Sequence, residues 1–193
     1  MGGRGSSSTR NTGYTRLDSE QESESFFYDS SERWKSSLSN REETTINEYT
    51  MYNNKVVNEF LRSGKVDESF GKEDLQKQVD AIQSALNRYE LEENVVLYRA
   101  GNSEQIDKEF ASFVSTSTSR KLAESYLSSS KGSDTLYIIQ ASKGKGKGAY
   151  VSSVSEVPEE QEFLLNRGLK PKVLNRDIKE IMGQKIKVIT VRI

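Results

Sequence analysis

The stretch "EVPEEQEFLLNRG", residues 156–168, places two glutamates directly before an apolar run. The Phe-Leu-Leu run at residues 163–165 is typical of a buried strand, and the Asn-Arg-Gly after it is typical of a turn. Side chains two residues apart on a strand share a face and lie about 6 to 7 Å apart. We therefore expect Glu160 and Glu162 together at the mouth of the core. An isolated Glu-x-Glu more often marks the exposed start of a strand. The other segments of the sequence must therefore decide whether these two glutamates belong to a functional site.

The residues before this stretch have the periodicity of helices and then of strands. An apolar stripe at residues 46–61 ends at Ser63-Gly64, and residues 75–89 carry apolar side chains at a 4, 3, 4, 3 spacing, which is one face of a helix. A short helix is predicted at residues 120–130, with Ser119 as its N-cap. Short apolar runs bounded by turn residues predict strands at residues 94–101, 109–119, 135–142, 149–154, 162–165, 172–174 and 185–193. Helices first and strands later indicate an α+β fold with mainly antiparallel sheets.

Composition divides the 193-residue chain in two. Residues 1–40 are rich in Ser, Gly, Glu and Arg and predict a flexible polar N-terminal tail or linker. We expect one short aromatic piece of this tail, which contains Phe27 and Trp34, to dock on the body. Residues 41–193 carry the apolar patterns and are predicted to form a single domain.

The missing residue types narrow the chemistry. The chain has no Cys and no His, which excludes thiolate chemistry and removes the commonest zinc ligand, and no metal site is expected. An enzyme with this sequence must use carboxylates, Arg, Ser, Thr or Tyr. The net charge of −1 gives no general drive toward nucleic acid or membranes. No apolar run approaches the ~18 residues of a membrane span, and the first forty residues lack the apolar segment of a signal peptide.

Two further segments place polar groups at strand ends. Arg99 ends the apolar run "VVLYRAG" and is either a structural side chain or a fork for phosphate or carboxylate. Ser115, Thr116 and Ser117 either cap the next helix or orient another polar group within a site. The absence of His argues against a nucleophilic serine. The "GKGKG" at residues 144–148 lacks the spacing of a phosphate-binding loop and is interpreted as a solvated hairpin loop.

The order of these segments resembles the Arg-Ser-Glu class of mono-ADP-ribosyltransferases, which includes clostridial binary toxins, C3-like exoenzymes and related phage enzymes. Arg99 in "LYRAG", Ser115-Thr116-Ser117 in "FVSTS" and Glu160-Gln161-Glu162 in "EEQEFLLNRG" carry the resemblance, which covers about residues 44–193. The resemblance implies two packed, mainly antiparallel sheets with N-terminal helices. It also implies that NAD lies in the cleft between the sheets.

The resemblance further implies roles for individual residues. Glu162 would stabilise positive charge that develops on the NAD ribose, Ser115 would hold Glu162, and Arg99 would neutralise the phosphates. Glu160 would orient or deprotonate the acceptor guanidinium, which makes these four residues the predicted catalytic set. The residues implied for cofactor binding are Tyr49, Asn58, Arg99, Ser115, Thr116, Ser117 and Glu162.

The sequence departs from the family's pattern at two places. Ala100 stands where many toxin members carry a second Arg, which predicts fewer phosphate contacts. The "SEVPE" at residues 155–159 lacks the aromatic residue that some members use to recognise their target. The Leu-Arg pair that the family often carries near bound NAD is present as Leu61-Arg62.

These observations together predict a monomeric mono-ADP-ribosyltransferase that uses NAD as co-substrate and modifies arginine of a host target protein. Its localisation stays open between a secreted effector, an injected effector and an enzyme made inside its host. Two alternatives stay open at this point. One is an NAD glycohydrolase with water as the acceptor, and the other is a non-catalytic phage structural or binding module.

Overall fold

The structure is a computed structural model that describes residues 13–102, 108–129 and 133–193. Its α-helices are α1 (Glu20–Lys35), α2 (Asn40–Glu48), α3 (Asn54–Ser63), α4 (Lys72–Arg88) and α5 (Arg120–Ser129). A π-helical segment, Tyr49–Asn53, joins α2 to α3. The left-handed Gly64 (φ 73°) ends α3, as the sequence predicts. Within the described ranges, no helix is both long and apolar enough to cross a membrane.

The strands follow the helices along the chain. They are β1 (Glu90–Leu91), β2 (Val95–Gly101), β3 (Val114–Ser117), β4 (Thr135–Ala141), β5 (Gly144–Lys145), β6 (Gly148–Tyr150), β7 (Glu162–Leu165), β8 (Lys172–Ile181) and β9 (Gln184–Arg192). Strands β1 and β5 form a small antiparallel pair. The other strands lie in the order β6-β7-β3-β2-β4-β9-β8, and neighbours are antiparallel except for β4 and β9, which are parallel.

The large sheet divides where β2 meets β3. These strands pair at Tyr98 and Ser117, whereas β2 pairs with β4 from Val95 to Gly101. The strands β6-β7-β3 therefore form one sheet and β2-β4-β9-β8 a second, joined at that pair. The prediction of an α+β fold with two mainly antiparallel sheets and N-terminal helices is confirmed.

Apolar side chains cover both faces of the second sheet. Leu97, Tyr137 and Ile139 belong to a core that the sheets share with α1 to α4. Val96 and Leu136 face the opposite side, where they pack in a smaller core with residues of α5. Alternation along β2 and β4 thus fixes both the main helical layer and α5 against the same sheet.

Helix α1 corrects the predicted boundary of the polar tail. The prediction of a flexible tail over residues 1–40 is wrong for residues 20–35, which form a helix that begins at the N-cap Ser19. Phe27 is buried and stacks on Tyr150, and the indole nitrogen of Trp34 donates to the Ala85 carbonyl at 2.8 Å. Residues 1–12 lie outside the described residues. The polar composition of this segment did not predict α1, because only a few large aromatic side chains hold the helix on the body. Burial of each such side chain stabilises the fold by about 2–3 kcal/mol.

The glycine-rich segment at residues 144–148, which was interpreted as a solvated hairpin loop, contributes to two strands. Gly144 and Lys145 pair with β1, and Gly148 begins β6. A Cβ at Gly148 would lie 2.1 Å from the Leu164 carbonyl oxygen, so this position accepts no side chain. The strand predicted at 149–154 is shortened to Gly148–Tyr150, whereas the one predicted at 172–174 extends to Ile181.

Candidate active site

A cavity of about 780 Å³ opens where β2, β3 and β7 converge. Helix α3 contributes one wall, α5 another, and the turn before β7 closes one side. The lining carries both cationic and anionic groups. Its polar side chains include Asn58, Arg62, Arg99, Ser115, Ser117, Tyr126, Glu160 and Glu162.

Glu162 is the buried carboxylate of this cavity. It begins β7 opposite Ser117, and its backbone nitrogen donates to Ser152 Oγ at 3.1 Å. The residue is 5% exposed, and burial raises its pKa to about 7. The Ser115 hydroxyl and the Arg99 cation lower this pKa, whereas Glu160 raises it. Glu162 is therefore held at the boundary between its charged and neutral forms near neutral pH.

Arg99 lies on β2 beside this carboxylate. Its Nη1 donates to the Ser115 carbonyl at 2.5 Å, which fixes the guanidinium at the cavity wall. Burial lowers the pKa of Arg99, and the neighbouring Tyr49 and Glu162 oppose that shift. Because the ordinary pKa of Arg is so high, the group stays a cation. A second acceptor, such as a phosphate, would complete its hydrogen bonds.

The three hydroxyl residues of β3 divide by the alternation of the strand. Ser115 interacts with Glu162, and Ser117 Oγ donates to the Glu160 carbonyl at 2.9 Å. The intervening Thr116 is buried and donates to the Phe163 carbonyl at 2.5 Å. Thr116 also lines the cavity, and its hydroxyl holds β7 against β3, so its role in binding the cofactor stays a prediction.

Glu160 and Glu162 line the same cavity, but not as neighbours on a strand. Glu160 ends a 3₁₀ turn, Pro158–Glu160, and Gln161 has left-handed backbone angles (φ 48°, ψ 46°). The expectation that strand alternation brings the two carboxylates to one face is wrong. The left-handed residue redirects the chain, so that Glu160 reaches the cavity from the turn and Glu162 from β7.

Gln161 points away from the cavity. Its side chain is buried, and Oε1 accepts from Ser23 Oγ at 3.2 Å and from Thr118 Oγ1 at 3.3 Å. Helix α1 and the end of β3 thus hold the residue between the two glutamates. A left-handed residue other than Gly costs free energy, and these contacts offset that cost.

A family model described as an ADP-ribosyltransferase exoenzyme matches residues 23–193. The chain belongs to this family. The match begins inside α1, in agreement with the corrected boundary of the folded domain. It includes every element that contributes to the cavity.

Individual relatives agree with this assignment. NAD(+)–arginine ADP-ribosyltransferase EFV of Enterococcus faecalis is 28% identical over 148 residues, which are 74% of this chain and 30% of the relative. The chain therefore spans less than a third of that relative's length. Plx2a, an ADP-ribosyltransferase toxin of Paenibacillus larvae, has a TM-score of 0.76 at 24% identity, over 93% of this chain and 98% of Plx2a. The ADP-ribosylating toxin BECa of C. perfringens has a TM-score of 0.77 at 19% identity, over 92% of this chain and 50% of BECa. These two structures share the fold.

Two helical residues that the family resemblance assigns to the cofactor separate in the structure. Asn58 lines the cavity, whereas Tyr49 is fully buried behind it. Asn58 Nδ2 donates to the Tyr49 hydroxyl at 2.9 Å, and Ser115 also contacts that hydroxyl. Burial raises the pKa of Tyr49 above its usual range. Tyr49 thus supports Asn58 and Ser115 from within the core, and its role as a cofactor ligand stays a prediction.

The cavity lining includes residues outside the predicted catalytic and cofactor-binding sets, among them Arg62 and Tyr126. Arg62 lies at its edge, with Nη2 3.3 Å from Glu59 Oε2, and the Leu-Arg pair of the sequence was the signal for it. Tyr126 lies on α5, and its hydroxyl donates to Glu160 Oε1 at 3.0 Å. Tyr126 shares one side of this helix with Leu122, Ala123 and Leu127, yet it is 45% exposed. A pattern of apolar spacing cannot distinguish a core tyrosine from one at a cleft.

Proposed function

We propose that this protein is a mono-ADP-ribosyltransferase that cleaves NAD at the nicotinamide–ribose bond and transfers ADP-ribose to an arginine of a target protein. The observation that carries the proposal is the buried Glu162, which interacts with the Ser115 hydroxyl and lies near the Arg99 cation, with Glu160 on the same cavity. The name of the Enterococcus faecalis relative describes the same reaction. The fold shared with toxins favours an effector that acts on a host protein.

The cavity suits a dinucleotide. Its volume of about 780 Å³ is in the range of small-molecule and cofactor sites. Arg99 and Arg62 supply planar cations for the diphosphate, which compensates for Ala100 at the place of a second Arg. The Oδ1 atom of Asn58 is buried and has no hydrogen-bond partner among the described residues. A donor group of the bound nucleotide would satisfy this acceptor.

The cleavage of NAD depends on the carboxylate of Glu162. When the bond between the ribose C1′ and the nicotinamide nitrogen breaks, the electron pair leaves with nicotinamide and the ribose becomes an oxocarbenium-like cation. The ionised form of Glu162 stabilises this charge, and Ser115 preorganises the carboxylate. The positive nicotinamide ring of bound NAD favours that ionised form and lowers the pKa of Glu162 from its value of about 7.

The acceptor completes the transfer. A guanidinium nitrogen of the target arginine forms the new bond to C1′ and releases a proton. Glu160, the less buried carboxylate of the pair, accepts that proton on the side of the cavity nearest to α5. Water in place of arginine would give free ADP-ribose, so hydrolysis requires Glu162 but not Glu160.

The proposal is tested with labelled NAD and a small guanidinium acceptor such as agmatine. We expect the wild-type protein to release nicotinamide and to form ADP-ribosyl-agmatine. The variant Glu160→Ala is expected to lose transfer by on the order of 10²-fold while it retains hydrolysis. Mass spectrometry of a treated lysate should then locate the label on arginine. Hydrolysis without any transfer by the wild-type protein would identify a glycohydrolase, and no nicotinamide release would refute both activities.

A further inference from the structure

We propose that Tyr126 of α5 forms, together with Glu160, the subsite that binds the target arginine. The aromatic ring would stack on the guanidinium, and the phenol hydroxyl would orient the Glu160 carboxylate toward it. This inference rests on the proposed function and adds a specificity-determining residue from an element that carries none of the motif residues.

The position of Tyr126 supports this role. Its hydroxyl donates to Glu160 Oε1 at 3.0 Å, so the ring and the carboxylate share one wall of the cavity. Leu122, one turn earlier on α5, lines the same wall. Large tyrosine side chains elsewhere, such as Tyr89 and Tyr137, are fully buried, whereas Tyr126 is 45% exposed at an open cleft. Tyr126 therefore presents a ring to a ligand rather than to the core.

Hydrogen bonds hold the two parts of the subsite together. Ser117 Oγ donates to the Glu160 carbonyl at 2.9 Å and accepts from the Ser119 backbone nitrogen at 3.0 Å. Ser119 in turn caps α5, because its Oγ accepts from the Leu122 nitrogen at 3.3 Å. The start of α5 and the turn of Glu160 thus meet at one hydroxyl. This arrangement keeps Tyr126 and Glu160 in a constant relative position.

The chemistry of an arginine acceptor matches this pair. A guanidinium is planar and weakly hydrated, so it stacks on an aromatic face while it donates hydrogen bonds to a carboxylate. The bond from Tyr126 fixes the rotation of the Glu160 carboxylate, and the apolar Leu122 side chain can contact the aliphatic part of the arginine. The turn at Val157 and Pro158 has no aromatic ring, so α5 supplies the aromatic group.

The test compares acceptor kinetics in Y126L and Y126F with those of the wild-type protein. Y126L removes the ring and is expected to raise the KM for agmatine about fivefold to tenfold. Y126F keeps the ring and loses the hydroxyl, and its KM should rise about twofold to threefold. The KM for NAD and the rate of hydrolysis without acceptor should change less than the KM for agmatine in both variants. Y28L is the matched control, since Tyr28 of α1 is 63% exposed and does not line the cavity.

The outcomes separate the inference from the proposed function. An unchanged agmatine KM in an active Y126L would overturn the inference and leave the transferase intact. A parallel loss of hydrolysis and transfer in Y126L at an unchanged melting temperature would assign Tyr126 to the NAD half of the reaction and also overturn it. If Y126L fails to fold, the Y126F values decide, because that variant changes a single hydroxyl. A wild-type protein that releases no nicotinamide would refute the proposed function itself.

Discussion

Two buried glutamates of this molecule have opposite electrostatic environments. Glu42, at the start of α2, is 9% exposed, and Glu162, at the start of β7, is 5% exposed. The pKa of Glu42 is lowered to about 2, chiefly by the hydrogen bond from Arg88. The pKa of Glu162 is raised to about 7, chiefly by burial. A small exposed fraction therefore does not by itself set the pKa of a carboxyl group, because the Arg88 hydrogen bond outweighs burial at Glu42, whereas burial outweighs the Ser115 hydrogen bond at Glu162.

The donors at Glu42 belong to a complete structural network. Its Oε2 accepts from Arg88 Nη2 at 2.7 Å and from the Ser39 nitrogen and hydroxyl at 2.9 Å each, which closes a capping box. Glu162 interacts with the Ser115 hydroxyl and lies near the Arg99 cation. The Nη1 atom of Arg99 already donates a hydrogen bond to the Ser115 carbonyl. The polar groups around Glu42 form hydrogen bonds that stabilise the fold, whereas the carboxylate of Glu162 in the cavity is poorly solvated. Such a group gains most when positive charge develops beside it.

The largest expected effect is a loss of activity, and we expect it for substitution of Glu162 but not of Glu42. E162Q should reduce both hydrolysis and transfer on the order of 10²- to 10³-fold, because the amide cannot stabilise the ribose cation. E42Q should leave kcat and the KM for NAD unchanged, since Glu42 lies outside the cavity. Nicotinamide release measured for both variants checks this prediction. Comparable activity in E162Q and the wild-type protein would refute the role proposed for Glu162.

The sequence predicts much of this site but not its geometry. The residue types of Arg99, Ser115 and Glu162 and their order along the chain located the cavity, and the apolar periods located most elements that position it. The prediction that Glu160 and Glu162 lie on one face of a strand was wrong. The left-handed conformation of Gln161 depends on its contact with Ser23, which is distant in the sequence. Long-range contacts of this kind leave no local pattern.

The same dependence on distant residues explains the other corrections. Helix α1 is polar on most of its surface, and its position depends on Phe27 and Trp34 finding partners on β6 and α4. Tyr49 matches the family's motif, yet its side chain is fully buried, and Thr116 lines the cavity while its hydroxyl donates to the Phe163 carbonyl. A motif specifies which residues belong to a site, whereas packing decides which of them touch a ligand.

The second prediction concerns stability and has opposite signs for the two glutamates. At pH 8, E162Q should raise the free energy of unfolding by about 3 kcal/mol, because the folded protein holds a carboxylate whose pKa is about 7 instead of the ordinary 4.5. The gain should shrink as the pH falls from 7 and vanish below 4.5, where Glu162 is neutral in both the folded and the unfolded state.

E42Q should show the reverse dependence. The lowered pKa of Glu42 stabilises the folded protein above pH 4.5, so this variant should lose about 1–2 kcal/mol at pH 8, a value reduced because Arg88 is partly exposed. The loss should close as the pH falls toward 2. Urea denaturation of both variants across this range gives the comparison directly. Parallel curves for the two variants would show that the environments do not differ as described.

The smallest expected effect concerns Gln161, which joins the folded core to the cavity. Q161A removes the acceptor of the hydrogen bonds from Ser23 and Thr118 and should cost about 1–2 kcal/mol of stability. Because Glu160 and Glu162 flank this residue, kcat for hydrolysis and transfer should also fall on the order of tenfold. Met182 provides a matched control, since it is also left-handed (φ 52°) but lies exposed in the β8–β9 hairpin.

M182A should therefore change stability by less than about 0.5 kcal/mol and leave kcat unchanged. The variant Q161G separates the two contributions of Gln161, because Gly accepts left-handed angles without strain and carries no side chain. If Q161G keeps full kcat while Q161A loses it, the backbone angle alone positions the glutamates. If both variants lose kcat equally, the side-chain contacts of Gln161 with Ser23 and Thr118 are what hold the glutamates in place.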